Sequence, residues 1–275
     1  MSDIIADPEF DLLTRKISRD RNFGCESYKE KCLRRRIAVR MRARGVHTYG
    51  DYARILDSDA GEYERLLDAL TINVTKLFRN WETYDAIARR VIPELWDSTE
   101  GRMVVWSAGC SSGEEAYSLA ILLHRHAAMR GQLSWLSRVR VIGSDIDRAS
   151  LVAAERAAYA ESAFADTPAE LRAAYFSPHP PHVVADEVRK MVRFERRDLL
   201  REPAPDATPE GIHLIACRNV IIYFDRNTQE TLFSRFHDSL APGGFLVLGK
   251  VETLLGSARS RFATVESRER IFRRA

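Results

Sequence analysis

The first third of the chain has the spacing of apolar residues that is typical of amphipathic helices. Leu33, Ile37 and Met41 repeat every four residues, and a similar run precedes them. Residues at this spacing share one face of a helix, so each run predicts a helix with one buried side. Gly45 follows the second run and favours the end of that helix. Further helices are predicted over residues 48–56, 62–70 and 82–96. We therefore expect an all-helical N-terminal domain over residues 1–95.

Beyond residue 101 the pattern changes to short apolar runs that alternate with helical segments. Strands are predicted at residues 103–106, 139–143, 214–217 and 245–248, and helices at residues 113–129, 148–158 and 228–240. This alternation is typical of a parallel, doubly wound α/β sheet. Residues 262–272 add a predicted antiparallel closing strand or hairpin. The second domain is expected over residues 96–275.

One segment breaks the alternation. The run from Ser177 to His182 contains three prolines and cannot lie inside a helix. Short β-like stretches follow at residues 182–185 and 191–194. We expect a small β-subdomain, inserted into the sheet at about residues 160–197.

Composition excludes some classes of protein. The net charge of +3 is the small difference between 42 basic and 39 acidic side chains, so it implies no partner by itself. The four cysteines form no CxxC pair, which favours a reducing cytoplasmic location. No apolar run approaches 18 residues and the N-terminus lacks the order of a signal peptide, so no membrane insertion is expected. His179 and His182 lack carboxylate or thiol support, and no metal site is predicted.

Two predicted strand ends carry candidate chemistry. The first strand runs into a loop of small residues, 107–113, where the backbone can approach a ligand closely. The loop does not match the dinucleotide fingerprint GxGxxG, and a tight turn without a ligand is the alternative. Asp145, at the end of the second strand, can accept hydrogen bonds from ribose hydroxyls. Asp145 or Asp147 could instead cap the next helix. The two strand ends together favour a nucleoside-type ligand.

Four segments taken together resemble a known family. They are residues 71–79, the loop 106–117, the acidic turn 144–147 and residues 217–224. The last contains Arg218-Asn219-Val220 followed by Ile222-Tyr223-Phe224. In order and spacing the four resemble the CheR family of chemotaxis-receptor methyltransferases. The resemblance covers residues 10–273, essentially the whole chain.

The resemblance implies a class I methyltransferase domain that uses S-adenosylmethionine, with a helical N-terminal domain and a small inserted β-subdomain. The implied reaction is methyl transfer to glutamate carboxylates of chemoreceptor-type proteins, which forms methyl esters. Arg79 and Tyr223 are implied as catalytic residues that hold the reacting carboxylate. The residues implied at the cofactor are Asn73, Thr75, Ala108, Gly109, Glu114, Asp145, Asp198, Leu199, Arg218 and Asn219. Asp198 stands where the family often has asparagine, and it can accept a hydrogen bond from the adenine amine but cannot donate one.

Each catalytic assignment has a structural alternative. Arg79 could form an ion pair with a nearby acid such as Glu82, and Tyr223 could pack at the edge of the sheet. Lys250 and Val251 stand where the family usually carries His or Ser followed by Ser, so the acceptor could differ from a receptor glutamate.

The predicted helix from Lys31 to Arg44 is rich in arginine. Its apolar stripe faces the core, and the arginines spread over the remaining surface, which favours docking to an acidic surface. The family resemblance implies that this surface is the acidic methylation helices of a chemoreceptor-like protein. A solvated helix face is the alternative. The docking residues are expected to be Arg34, Arg35, Arg36, Arg40, Arg42 and Arg44. Nucleic acid is disfavoured because the overall charge is near neutral.

Further expectations concern partners and activity. The resemblance implies that family members which capture a receptor C-terminal tether peptide have a longer, glycine-containing loop in the inserted subdomain. The stretch from Tyr175 to Val183 is short and contains no glycine, so we expect no dependence on such a peptide. We also expect a monomer. Two other functions stay open: an S-adenosylmethionine-binding regulatory protein without catalysis, and a methyltransferase that acts on a non-receptor acceptor.

Overall fold

A computed structural model describes residues 7–21, 23–71, 74–206, 209 and 211–275. The chain divides into two compact units. The first is Met1–Ile72 with Tyr223–Thr228, and the second is Asn73–Ile222 with Gln229–Ala275.

The first unit is built from four α-helices. They are α1 (Pro8–Arg21), α2 (Glu30–Ala43), α3 (Tyr49–Ser58) and α4 (Ala60–Leu70), with a 3-10 turn at Cys25–Ser27. Side-chain caps begin two of them: Thr48 accepts the backbone N–H of Asp51 for α3, and Asp59 accepts that of Glu62 for α4. The predicted stripe of α2 is buried at Leu33, Ile37 and Met41. The helices therefore form because their apolar faces share one core.

The same unit includes a short piece of the later chain. Tyr28 and Phe224 form an antiparallel bridge, and the Lys29 N–H donates to the carbonyl of Tyr223 at 2.9 Å. The rings of Tyr28 and Phe224 also meet edge to face, with centroids 5.0 Å apart. Residues from the end of the Arg218–Phe224 motif are thus held by the helical unit.

The second unit contains a seven-stranded sheet with helices around it. The strands of the unit are β1 (Val104–Ala108), β2 (Arg140–Asp145), β3 (Ala158–Tyr159), β4 (His182–Val183), β5 (Val192–Arg196), β6 (Ile212–Cys217), β7 (Leu240–Leu248), β8 (Phe262–Glu266) and β9 (Ile271–Arg274). The helices are α5 (Trp81–Ala86), α6 (Ile92–Thr99), α7 (Glu114–Met129), α8 (Arg148–Arg156), α9 (Ala169–Tyr175), α10 (Asp186–Arg189), α11 (Arg226–Ser239) and α12 (Ala258–Arg261), with a π-helical turn at Ile87–Val91.

The strand order of the sheet is β5-β2-β1-β6-β7-β9-β8. Neighbours from β5 to β7 are parallel, whereas β9 and β8 are antiparallel. Strands β1 and β6 are buried along their whole length, as expected for a sheet covered on both faces. The order reverses next to β1, and ligands of doubly wound sheets bind at such a reversal. The predicted doubly wound sheet with an antiparallel closing hairpin is confirmed.

The boundary between the inserted segment and the main sheet differs from the predicted one. Val192–Arg196, inside the predicted insert of 160–197, pairs in parallel with β2 and is the edge strand β5. The separate small sheet consists of β3 and β4, two residues each. Helices α5 and α6, which the sequence analysis groups with the helical domain, lie in the second unit because Tyr84 and Trp96 are buried in its core.

Candidate active site

The loop after β1 folds onto the end of β2. The backbone N–H groups of Gly109 and Cys110 both donate to the carbonyl of Ser144, at 2.8 and 2.9 Å. Gly109 has φ +81°, and a Cβ there would lie 2.6 Å from a methyl carbon of Val220. Only glycine fits this position without strain, which explains the small-residue loop.

Asp145 is the carboxylate at the end of β2. One of its oxygens accepts the Ser111 N–H at 2.7 Å and the other accepts the Asp147 N–H at 3.0 Å. Burial raises the pKa of Asp145, while these backbone donors act in the opposite direction. Asp147 caps α8 through the Ala149 N–H at 2.9 Å. The two acids of this turn therefore have different roles, and Asp145 faces the loop after β1.

Two buried glutamates begin α7. Glu114 accepts hydrogen bonds from the Ser112 hydroxyl at 2.8 and 3.0 Å. Glu115 accepts one from the Ser107 hydroxyl at 2.8 Å. Burial raises the pKa of both carboxyls, and for Glu115 the cation of Arg218 opposes the shift. Sequence reasoning identified Glu114 but missed Glu115.

Arg218 follows β6 and is 6% exposed. Its guanidinium donates to the carbonyl of Arg79 at 2.8 Å, to the Tyr84 hydroxyl at 3.2 Å and to the Asn80 side chain at 3.3 Å. A carboxylate oxygen of Glu115 lies 3.7 Å from it. Arg218 therefore joins the chain around Arg79 to the start of α7.

Asn219 adopts a left-handed backbone conformation, with φ +62°. Its N–H donates to Glu252 at 2.9 Å, and the N–H groups of Gly249 and Ile222 donate to the same carboxylate at 2.6 and 3.3 Å. Glu252 is 3% exposed, and burial raises its pKa against these donors. One buried carboxylate thus ties the loop after β6 to the loop after β7. The sequence gives no local signal for this role.

Arg79 lies in the segment that precedes α5. Its guanidinium donates to the carbonyl of Val74 at 2.8 Å, and the residue is half-buried. Thr75, in the same segment, is also half-buried. Asn73 lies outside the described residues. Glu82, the sequence-based alternative partner of Arg79, instead accepts a hydrogen bond from Lys250 at 3.2 Å.

Tyr223 belongs to the first unit. Besides its carbonyl contact with Lys29, its ring lies near Arg36, whose guanidinium carbon is 5.8 Å from the ring centroid. Asp198 follows β5, and its side chain accepts the Leu200 N–H at 2.8 Å. Leu199 offers its carbonyl to Arg235 at 3.3 Å.

Most of the predicted docking arginines have partners inside the helical unit. Arg40 forms two hydrogen bonds, of 2.8 and 2.9 Å, with the fully buried Glu62. Arg34 pairs with Glu30 and Asp7 at 2.6 and 2.9 Å. Arg44 approaches Asp59 at 3.3 Å, and Arg36 donates to the carbonyl of Ala69. Arg35, Arg42 and Arg44 are exposed, and the Arg42 guanidinium also donates to the carbonyl of Ala38 at 3.3 Å.

Two buried polar atoms point to a polar ligand at the strand ends. Among the described residues, six buried side-chain atoms have no hydrogen-bond partner, and they include Ser111 Oγ and Asn219 Oδ1 in the loops after β1 and β6. A buried polar group without a partner costs about 1–3 kcal/mol, so a ligand that bonds to both atoms would stabilise the site. A nucleoside joined to an amino acid, as in S-adenosylmethionine, has hydroxyl, amine and carboxylate groups of this kind. The residues present therefore fit that cofactor.

Two absences hold for the part of the chain that the structure describes. No helix there is long and apolar enough to cross a membrane. No group of three or more His, Cys, Asp or Glu side chains there could hold a metal ion. His182 instead contacts the Ser177 carbonyl at 2.8 Å and Glu161 at 3.1 Å.

Comparisons with known proteins agree with this geometry. The model of the CheR methyltransferase SAM binding domain matches residues 73–271, and that of the CheR methyltransferase all-alpha domain matches residues 8–71. The chemotaxis protein methyltransferase of Listeria innocua is 34% identical over 267 residues, which are 96% of this chain and 98% of that protein. Chemotaxis protein methyltransferase 1 of Pseudomonas aeruginosa is 30% identical over 256 residues, 90% and 91% of the two chains.

A solved structure shows a weaker similarity. A TehB-like SAM-dependent methyltransferase from Corynebacterium glutamicum aligns with a TM-score of 0.37 and 14% identity, over 70% of this chain and 92% of that one. This score is too low to bear on function.

The sheet, the strand-end loop and the matched SAM binding domain define an S-adenosylmethionine-dependent methyltransferase. Within that class, the chain belongs to the CheR family of chemotaxis methyltransferases. The predicted family and cofactor are confirmed.

Proposed function

We propose that this protein methylates glutamate side chains of a chemoreceptor-type protein and so forms methyl esters. The observation that carries the proposal is the setting of Arg79. Within the described residues its guanidinium makes one hydrogen bond, to the Val74 carbonyl, so most of its five N–H donors remain for an acceptor. A guanidinium holds a carboxylate in one plane, which suits orientation of a glutamate.

The reaction requires the protein mainly to orient the acceptor carboxylate. A glutamate carboxylate with a pKa near about 4.3 is already an anion at neutral pH, so no general base is required. When bound, S-adenosylmethionine would supply the electrophilic methyl group and leave as S-adenosylhomocysteine. Arg79 orients the carboxylate, and the Tyr223 hydroxyl is proposed to orient it as well. Positioning of this kind can lower a barrier by several kcal/mol, about 7–11 in the best cases.

We propose that the cofactor is held mainly by the strand ends. Each carboxylate oxygen of Asp145 accepts one backbone N–H and keeps a free lone pair. These lone pairs accept hydrogen bonds from the ribose hydroxyls. Asp198 accepts from the adenine amine beside Leu199. The remaining residues proposed at the cofactor are Asn73, Thr75, Ala108, Gly109, Glu114, Arg218 and Asn219. The internal contacts of Arg218 support an additional role in holding the Arg79 segment.

We propose that receptor docking uses the exposed face of α2. Arg35, Val39 and Arg42 are all exposed and lie at spacings of four and three residues, on one side of the helix. Two cations around an apolar residue suit an acidic amphipathic helix. The other arginines of α2 support the helix from within, as the Arg40–Glu62 pair illustrates.

We propose that no receptor tether peptide is needed. Strand addition depends on main-chain donors, and those beside β4 are already used. The Val183 N–H donates to the Ser177 hydroxyl at 2.8 Å and the Val184 N–H to the Ala157 carbonyl at 2.9 Å. A monomer that works in the cytoplasm completes the proposal; the four cysteines are free thiols, in keeping with a reducing compartment.

Lys250 bears on the alternative of a different acceptor. Its ammonium lies 3.2 Å from Glu82 and 3.6 Å from Glu269, so it links the loop after β7 to α5 and to the β8–β9 turn. These two ion pairs support a role of Lys250 in holding the loop after β7. They give less support to a role in selecting an unusual acceptor.

The test is transfer of a labelled methyl group to a purified receptor domain. Base treatment of the product should release the label as methanol, which marks an ester. Label that stays on the protein after base would exclude a glutamate ester, and bound cofactor without transfer would support the regulatory alternative.

A further inference from the structure

Arg79 lies between two residues with left-handed backbones. Phe78 has φ +53° and Asn80 has φ +61°. Asparagine tolerates this region, but a bulky phenylalanine there is an outlier. Left-handed residues other than glycine cost about 1–3 kcal/mol each and persist only where surrounding contacts hold them. The backbone around Arg79 is therefore held in place from outside.

The N–H group on each side of Arg79 is fixed by a side chain. The Phe78 N–H donates to the hydroxyl of the buried Ser118 at 2.9 Å. The Asn80 N–H donates to a carboxylate oxygen of Asp166, also at 2.9 Å. The carbonyl of Arg79 itself accepts from Arg218. The backbone of residues 78–80 is thus held by three hydrogen bonds, one at each residue.

Asp166 belongs to the inserted segment between β3 and β4, just after a 3-10 turn at Glu161–Phe164. Two neighbours make further ties to the same stretch of chain. The Leu77 N–H donates to the Ala163 carbonyl at 3.0 Å, and the Thr167 hydroxyl donates to the Leu77 carbonyl at 3.3 Å. The insert therefore touches the Arg79 segment along several consecutive residues.

The charge of Asp166 contributes little to these contacts. Its closest cation is Lys76, at 3.7 Å, and both side chains are partly exposed, at 42% and 28%. Exposed pairs of this kind are worth about 0–1 kcal/mol. The contact that matters is the acceptor for the Asn80 N–H, which an uncharged oxygen could also provide.

We propose that Asp166 is a positioning residue for Arg79, and that the inserted segment holds the catalytic arginine in its left-handed frame. This inference rests on the proposed role of Arg79 in orienting the acceptor. It gives the insert a function within the catalytic unit that does not require a tether peptide.

The test compares Asp166→Ala with Asp166→Asn and with Glu161→Ala as the matched control on the same insert. Glu161 pairs with Arg172 and His182, and among the described residues it forms no hydrogen bond or ion pair with the Arg79 segment. Turnover, acceptor KM, S-adenosylmethionine affinity and Tm are measured for each. Asp166→Ala should lower kcat by about tenfold or more, since misplacement of about 1 Å can cost 10²-fold, with cofactor affinity unchanged. Asp166→Asn and Glu161→Ala should keep most of the turnover.

Rescue distinguishes positioning from general support of the fold. Glycine adopts a left-handed conformation without strain, so Asp166→Ala combined with Asn80→Gly should recover part of the lost kcat. Wild-type turnover in Asp166→Ala, or a parallel loss of cofactor affinity and turnover without rescue, would overturn the inference. Arg79→Ala is assayed beside these variants. If it retains turnover, the proposed role of Arg79 fails; if it alone is inactive, only the role of Asp166 fails.

Discussion

A guanidinium nitrogen of Arg218 donates a 2.8 Å hydrogen bond to the backbone carbonyl of Arg79. The same guanidinium lies 3.7 Å from Glu115, and both residues are buried. The pair therefore connects the segment around Arg79 to the first turn of α7. The backbone around Arg79 thus receives one hydrogen bond from this buried pair and, at Asn80, donates one to Asp166 of the insert.

Removal of one member of this pair should destabilise the catalytic unit more than removal of both. Arg218→Met leaves Glu115 buried without its cation, and breaking a buried pair costs about 3–5 kcal/mol. Adding Glu115→Gln should restore part of the free energy of unfolding. Urea denaturation of the single and double variants measures this. Strictly additive losses would show that the two charges do not interact.

Cofactor affinity should depend on pH through Asp145. Burial raises the pKa of this carboxyl above its ordinary value, against the backbone donors. Ribose hydroxyls bond better to the ionised carboxylate, so binding favours loss of the proton. Affinity for S-adenosylmethionine should therefore rise as the pH increases from acidic values through that pKa, and then level off.

Calorimetric titration at a series of pH values checks this prediction. Asp145→Asn, which cannot ionise, should bind more weakly near neutral pH and show a flatter profile. Wild-type affinity that is constant over the acidic range would rule out Asp145 as the titrating contact.

Glu252→Gln should weaken cofactor binding although Glu252 is not proposed to touch the cofactor. A glutamine amide presents one oxygen where three N–H groups now converge, and its NH₂ would face some of these donors. Each buried N–H group left without an acceptor costs about 1–3 kcal/mol. The N–H group of the left-handed Asn219 is one of the three donors. We expect about a tenfold loss of affinity, measured by calorimetry.

Glu62→Gln is the matched control, since Glu62 is also a buried carboxylate but lies in the helical unit. Its pKa is pushed up by burial, yet donors led by Arg40 outweigh this and lower it. Because the folded pKa is lowered, the carboxylate stabilises the fold above its unfolded pKa and loses that effect as pH falls. Glu62→Gln should thus lower Tm at neutral pH with cofactor affinity unchanged. Equal affinity losses in both variants would indicate general destabilisation.

The sequence predicts the parts of the fold that depend on neighbouring residues better than the parts that depend on pairing between distant residues. The helical stripe Leu33–Met41 and the buried strands β1 and β6 follow from apolar spacing alone, and the structure has them. The strand at 192–196 overlaps the β-like stretch predicted at residues 191–194. Its place in the main sheet was not, because pairing with Val141–Asp145 joins residues about fifty positions apart.

The site divides in the same way. Gly109 and Asp145 lie at strand ends, where the chain order alone brings them together, whereas Arg79 and Arg218 are predicted from motif resemblance only. Asp166 and Glu252 were missed because their partners are backbone N–H groups of remote segments, and Glu115 because its partners are the side chains of Ser107 and Arg218. The arginines of α2 could not be distinguished by sequence either: Arg40 is engaged because α4 places Glu62 beside it, whereas Arg42 faces outward.

Docking should depend on the exposed arginines of α2. Arg35→Glu with Arg42→Glu should raise the KM for the receptor domain about tenfold or more and make it less sensitive to salt, with kcat little changed, since exposed charges act mainly on encounter. Arg19→Glu with Arg54→Glu changes the charge of the same unit equally, at side chains 74% and 80% exposed. Steady-state kinetics of both double variants measure this difference. Equal increases in KM would mean that docking depends on the overall charge of the unit rather than on the α2 face.

The most direct measurement locates the transferred methyl group. A receptor domain incubated with the wild-type protein and S-adenosylmethionine is digested under mildly acidic conditions and sequenced by tandem mass spectrometry. The account predicts the added mass of one methyl group on glutamate side chains of an acidic helix, and none when Arg79→Ala replaces the wild type. A methyl group on a lysine, histidine or backbone nitrogen, or an Arg79→Ala protein that modifies glutamate at the wild-type rate, would contradict it.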